Sequence, residues 1–320
     1  MREDATSGSR RLFLKSAAGL GGALAVATGA SSGETSAPLL PTVKFGKAEI
    51  TRLIVGSNPF YGYSHFNRIV DAHMREWYTQ ERRVEVLQSA ERNGIGTWQC
   101  HYNDQPLADF LRYRQEGGKM NFVLLADFAL MKDLSLMPEV VKKMQPLGIG
   151  HHGNRTDERF RAGQKNKIKE FLKAVRDTGV MVGLSTHNPA VVETAESENW
   201  DVDYYQTCLY FVSRTPEEAR RIYGEAPLGE IYMEKDPERM CKMIRATRKP
   251  CLAFKVFGAG RTVSSHEAVE TSIRFALANI KPADAIIVGF YPRFSDQVRE
   301  NTEIVRGILS EPAGLKSRAD

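Results

Sequence analysis

The sequence is poor in cysteine. Among 320 residues there are four, Cys100, Cys208, Cys241 and Cys251, and no two of them form a CxxC pair. That spacing gives no zinc knuckle and no iron–sulfur site. It leaves open whether the four are buried thiols or whether an oxidising compartment joins two of them. Long apolar runs are also missing. Beyond residue 30 nowhere do 18 consecutive apolar residues occur, so the mature chain has no candidate membrane span. No GxGxxG follows the first apolar run, which counts against an open dinucleotide-binding sheet. Charge of one sign is scarce too: the net charge is +5, part of it at the extreme N-terminus. So small an excess gives no ground for a nucleic-acid partner. What remains is ordinary for a globular protein, with 42% hydrophobic and 26% charged residues. The length suits one large domain or two average ones.

The first 40 residues are of a different kind. Ser9-Arg10-Arg11-Leu12-Phe13-Leu14-Lys15 precedes the run AAGLGGALAVATGA. A charged start, a short weakly apolar segment and small residues near a cleavage point describe a signal peptide rather than a membrane anchor. The paired arginines followed by Phe-Leu-Lys resemble a twin-arginine export signal. The expectation is an exported, periplasmic protein that meets the twin-arginine export machinery and is cleaved after Ala27 or Ala30. Residues 1–30 are read as the signal, 31–41 as a Ser/Pro-rich linker, 42–310 as the folded domain and 311–320 as a tail.

Past the linker, short apolar runs alternate with longer amphipathic ones. The apolar runs lie at 52–57, 96–100, 121–128, 147–152, 181–186, 203–210, 251–258 and 285–291. They are continuous and rich in β-branched and aromatic residues, as strands covered on both faces are. Between them, residues 80–93 and 165–178 show helical apolar spacing and end at Gly94 and Gly179. Residues 264–279 start at Ser264 or Ser265, with Glu267 placed for a capping box with Ser264, and residues 295–309 start at Ser295. Eight strand–helix units in this length predict an α/β fold, a (β/α)8 TIM barrel; the alternative is a doubly wound open sheet. Two alternating runs around Gly46-Lys47 predict an N-terminal β-hairpin closing the bottom of the barrel.

Several local motifs, with the hairpin and the eight units, resemble the aldo-keto reductases over about residues 42–310. IIVGFYPRFSDQVREN (286–301) is similar to the family's last-strand motif, with Arg293, Gln297, Glu300 and Asn301 on its positions and a loop two residues longer. A helix N-terminus beside an arginine suits an anionic group. FKVFGAGRT (254–262) is similar to a glycine-rich loop after strand seven, matching at Lys255, Gly258, Gly260 and Arg261. There the glycines let backbone amides approach a diphosphate. In GLSTHN (183–188), Ser185 matches, and the partner amide role falls to Asn188 or His187; Gln206 matches the strand-six glutamine. The resemblance implies NADP(H) at the C-terminal face, with Ser185, Asn188 and Gln206 at the nicotinamide carboxamide, and a hydride moved to or from a carbonyl.

The catalytic positions depart from the family. Where it has Asp, Tyr, Lys and His, GIGTWQCHYND (94–104) puts Gln99 at the Asp position and Tyr102 two residues before the Tyr position, which Asp104 occupies; Asp127 stands at the Lys position. The His survives as His151 or His152. A carboxylate in place of the lysine raises a neighbouring tyrosine pKa rather than lowering it, so the family's proton-donor arrangement does not carry over. Three readings follow. In one, this is a divergent oxidoreductase on a carbonyl or sugar-like small molecule, its acid being Tyr102, His101 or His151, with Asp127 orienting it. In another, His101, Asp127, His151, His152 and His187 gather a divalent metal for a hydrolase or isomerase. In the third, the barrel binds a ligand without catalysis. The aromatic loop 57–78, with Phe60, Tyr61, Tyr63, Phe66, Trp77 and Tyr78, covers a sugar or aromatic substrate or is a packed lid.

Overall fold

The computed structural model describes residues 37–312. Residues 1–30, expected as a signal, most of the expected linker 31–41 and most of the expected tail 311–320 lie outside the described residues. A hairpin of β1 (Thr42–Phe45) and β2 (Ala48–Thr51) comes first. Eight parallel strands follow: β3 (Leu53–Gly56), β4 (Thr97–His101), β5 (Asn121–Leu125), β6 (Gly148–His151), β7 (Met181–Thr186), β8 (Tyr204–Cys208), β9 (Cys251–Phe254) and β10 (Ala285–Gly289). They pair in chain order, and β10 bonds to both β9 and β3, closing a barrel. The expected (β/α)8 architecture with its N-terminal hairpin is therefore present. A closed ring leaves no open-sheet edge, which disposes of the doubly wound alternative.

Some runs are shorter as strands than as apolar sequence, for local reasons. The run at 121–128 ends early because Asp127 turns to cap the helix Phe128–Lys132, accepting from the Leu130 amide at 2.8 Å. The run at 251–258 ends at Phe254 because Lys255 has φ +59°, a left-handed conformation in which no strand continues. One expected cap falls on the second of its two candidates, and one moves by one residue. Ser265 caps the helix His266–Asn279 by accepting from Ala268, with no capping box to Glu267, and Asp296 rather than Ser295 caps Gln297–Ser310.

Side-chain parity sorts each strand into an outer and an inner set. Leu53, Val55, Trp98, Cys100, Phe122, Leu124, Ile149, Val182 and Leu184 pack outward under the helices. Ile54, Val123, Tyr204, Leu252, Ala285 and Ile287 pack inward, joined from below by Phe45 and Ile50 of the hairpin. Phe45 meets Tyr204 edge-on at 4.8 Å between ring centroids. Tyr204 lies across the interior only because its neighbours lack side chains: a Cβ at Gly183 would sit 2.3 Å from Tyr204 Cζ, and one at Gly148 2.8 Å from its Cε1. The hairpin thus closes the bottom of the barrel, and the interior is filled to about mid-height. All four cysteines are buried free thiols. Among the described residues no helix is long and apolar enough to cross a membrane.

Candidate active site

Above the filled half, the C-terminal ends of the strands surround a cavity of about 1060 Å³, at the upper end of the ~300–1,000 Å³ usual for small-molecule sites. Its wall is built by the inward parity of the strands. β4 contributes Gln99 and His101, the end of β5 Asp127, the end of β6 His152, β7 and its end Ser185 and His187, β8 Gln206, and the turn after β9 Lys255. The strap after β3 and the helix Arg68–Trp77 roof it with Tyr63, Phe66, Val70 and Met74.

The aromatic loop divides between the two readings given for it. Phe60, Tyr61 and Tyr78 are buried, with Tyr78 Oη donating to the Phe290 carbonyl at 2.7 Å, while Tyr63 and Phe66 are exposed in the cavity wall. A clasp holds the strap down. His65 Nδ1 meets Glu230 Oε1 at 2.7 Å, and Arg261 donates to the His65 carbonyl at 3.2 Å. Burial pushes the Glu230 carboxyl up. The His65 bond and charge, the Lys255 ammonium and the Tyr232 hydroxyl outweigh this and hold it at about 2.

Burial shifts several titratable groups of the wall toward their neutral forms. Burial pushes His101 down to about 4. Burial, then the nearby His187 and His101, does the same to His152. Burial raises Asp127 against the opposing bonds from the Leu130 and Ala129 amides, and burial lowers the Lys255 ammonium. Four polar atoms of this wall are buried without a hydrogen-bond partner: His101 Nε2, His152 Nδ1, Gln206 Nε2 and Lys255 Nζ. Buried polar atoms ordinarily find partners, so a group of them in one cavity marks a place for a polar ligand or ordered water.

His187 differs from the other two histidines in being anchored. Its Nδ1 lies 2.8 Å from Asp157 Oδ2, which also accepts from the His187 amide at 3.0 Å, and Thr186 Oγ1 donates to Asp157 Oδ1. Asp157 is fully buried in the helix Gly153–Arg161 that follows β6. Gly153, at the start of that helix, lets it approach: a Cβ there would be 2.9 Å from His187 Cε1 and 3.0 Å from Ser185 Oγ.

Not every expected site residue reaches the cavity. His151 faces outward, because its parity on β6 is opposite to that of Gly148 and Gly150. It is buried against Phe171, with Nδ1 2.7 Å from Thr156 Oγ1 and Nε2 2.9 Å from Arg159. Its expected place in the pocket is corrected to His152. Tyr102 lies past the strand end, half-buried against the outer core and outside the cavity wall. Asn188 caps the helix Pro189–Ser197, accepting from Ala190 at 3.0 Å, so it is His187 that holds the wall position at this strand end. Gly260 lines the cavity but Gly258 packs against Tyr210. Arg261 lies over the Tyr232 ring at 3.8 Å, and exposed Arg293 lies over Phe294 at 5.7 Å; neither is in the wall. Gln297 and Asn301 are in it, and Gln297 Oε1 accepts from the Tyr291 amide at 2.8 Å.

The metal reading loses its geometry. His151 is outside, His187 Nδ1 is taken by Asp157, and among the described residues no group of three His, Cys, Asp or Glu converges as metal ligands would. Asp157 and Glu230 were not singled out from sequence. Neither lies on a strand, and nothing local shows that they point back at the pocket.

No family model matches the chain, and no curated protein matches its sequence. Solved structures do. The apo form of Gox0644 superposes with a TM-score of 0.52 at 11% identity, covering 84% of this chain and 93% of that one. A variant of the same protein in complex with NADPH gives 0.50 at 11%, covering 84% and 93%. A protein assigned as a 2,5-diketo-D-gluconic acid reductase B gives 0.51 at 11%, covering 84% and 86%. The shared feature is the barrel. At such identities the likeness establishes fold, and the chemistry has to be argued from this chain's own cavity.

Proposed function

We propose that this protein is an oxidoreductase of aldo-keto-reductase type that holds a nicotinamide dinucleotide, NADP(H), in the barrel mouth and acts on a carbonyl or sugar-like small molecule. One observation carries the reading. Ser185 and Gln206 are register partners on β7 and β8, and both line the cavity. A carboxamide ligand needs a donor and an acceptor side by side, and these two side chains offer both. Farther along the wall, the Lys255 ammonium, 4.0 Å from Glu230 Oε2 and without a hydrogen bond, suits a phosphate oxygen, and Gln297 and Asn301 offer polar groups to the remaining nucleoside. Arg261 and Arg293, which the family resemblance assigns to phosphate, lie outside the wall, so Lys255 is the cation of this reading.

When bound, the nicotinamide supplies or accepts the hydride. The chain's part is to orient, to exclude water and to move a proton. The roof of Tyr63, Phe66, Val70 and Met74 limits water over the reacting centre, and the His101 and His152 rings line the same space. Gln99 replaces a carboxylate whose family partner is a lysine, and Asp127 stands where that lysine would be. The site supports this as a rebuilt arrangement in which histidine takes over proton handling.

Export belongs to the same proposal and is supported by the Arg10-Arg11 motif. A nicotinamide enzyme outside the cytoplasm must retain its cofactor, and folding before export allows loading there. Arg10→Lys with Arg11→Lys should leave the precursor in the cytoplasm. The cofactor is tested by mass spectrometry of whatever the purified protein releases, and by titration with NADPH and NADH followed by nucleotide fluorescence. Binding weakened about tenfold or more by Gln206→Leu is the expected result, the loss of about one buried hydrogen bond. Absence of nicotinamide binding at millimolar concentration would overturn the reading.

A further inference from the structure

We infer that His187 is the proton-transfer residue of this cavity and that Asp157 is its positioning residue. The inference rests on the proposed oxidoreductase reading for its substrate class, carbonyl or secondary alcohol, but not for its geometry. His187 stands in the wall with Nδ1 committed to Asp157. Asp157 Oδ2 accepts from the His187 main-chain amide as well, so the carboxylate faces the ring as an acceptor and requires a proton on Nδ1. The neutral ring therefore carries its lone pair on Nε2, and the protonated ring carries Nε2–H, on a side chain that lines the cavity. An imidazole whose tautomer is fixed by a buried carboxylate is the arrangement that general acid–base chemistry uses.

The other candidates do not compete. Tyr102 is outside the wall and His151 faces the helix layer. His101 and His152 are held neutral to about pH 4 and have no carboxylate partner. A reduced nicotinamide, when bound, would supply the hydride for the new C–H bond at the carbonyl carbon, and the chain's own part is the proton. The C–O π pair moves to oxygen, and oxygen takes the Nε2 proton, leaving neutral His187 to be reprotonated from water. In the oxidative direction Nε2 would accept the hydroxyl proton, and an oxidised nicotinamide, when bound, would take the hydride from carbon.

The first test needs neither cofactor nor substrate. Long-range 1H–15N spectra of the histidine-labelled protein, with the His187 signal assigned by its loss in His187→Gln, should show the neutral ring protonated at Nδ1. Asp157→Asn should weaken that preference. A neutral ring protonated at Nε2 in the wild type would overturn the inference, whatever the protein binds. The second test is kinetic. His187→Gln should bind NADPH within about threefold of wild type and lower turnover by about 10²–10⁴-fold, the usual contribution of general acid–base catalysis. Asp157→Asn should move the pH profile of turnover while leaving nucleotide affinity in place, a displacement that a purely structural aspartate would not produce. His187→Gln turning over at the wild-type rate while binding nucleotide would sink the assignment. Wild-type protein that binds no nicotinamide defeats the proposed function instead, and the tautomer then decides this inference alone.

Discussion

Gly153 and His187 approach so closely that a Cβ on residue 153 would lie 2.9 Å from the imidazole Cε1. The contact couples the start of one helix to the orientation of a side chain on the next strand end. Gly153→Ala should push the ring off Asp157 or move the helix start, costing about 1–3 kcal/mol, as overpacking of a tight site does. Urea unfolding measures the cost, and the His187 nitrogen signals report the displacement. An unchanged spectrum and midpoint would show that the site gives way freely.

The pair Arg83 and Asp109 should be the most sensitive ionic contact under the strap. Arg83 Nε and Nη2 donate to the two Asp109 oxygens at 2.5 and 3.0 Å, and Tyr61 Oη donates to Oδ2 at 2.9 Å, all of them buried. Arg83→Met leaves the Asp109 charge unpaired in the interior and should cost about 3–5 kcal/mol; replacing both partners with apolar residues should recover a large part. Denaturant titration of the single and double variants checks this.

Stability should rise with pH across about 4 to 6.5. His101 and His152 titrate at about 4 in the folded chain against 6.5 for a free side chain. Between those values the unfolded chain binds more protons than the folded one, so stability is lost as pH falls through the window. Unfolding midpoints from pH 7 to 4 should show this slope, and His101→Gln or His152→Gln should each flatten it.

The strap clasp should respond to acid in the sense of a lowered carboxyl. Glu230 titrates at about 2 against 4.5, so its contribution is present above about 4.5 and fades as pH falls toward 2. At neutral pH, Glu230→Gln should loosen the segment 57–67. The measurement is proteolytic cutting there, which should speed up by several-fold in the variant and stay unchanged elsewhere.

Much of the barrel was legible because strands buried on both faces are written as continuous apolar runs, and the punctuating glycines bound the helices between them. Parity was the point of difficulty. LGIGHH contains two adjacent histidines, and only the inward placement of Gly148 and Gly150 shows that His152, not His151, meets the cavity. Asn188 reads equally well as a ligand group or a helix cap, and the Pro189 that follows it favours the cap. Asp157 was out of reach because its partnership with His187 spans 30 residues and depends on a glycine making room. Arg261 and Arg293 match motif positions, yet aromatic rings nearby take up their guanidinium groups, which a motif does not encode.

The plug of Phe45, Tyr204 and Ile287 beneath the cavity has a kinetic consequence. Ile287 belongs both to the filled interior and to the cavity wall, so the floor is sealed and traffic passes through the roofed end. Two ligands sharing one opening cannot come and go independently. On the proposed function, the ligand that reaches Gln206 and Ser185 arrives first and leaves last, so steady-state kinetics should follow a compulsory order in which the shallower ligand competes only with its own product.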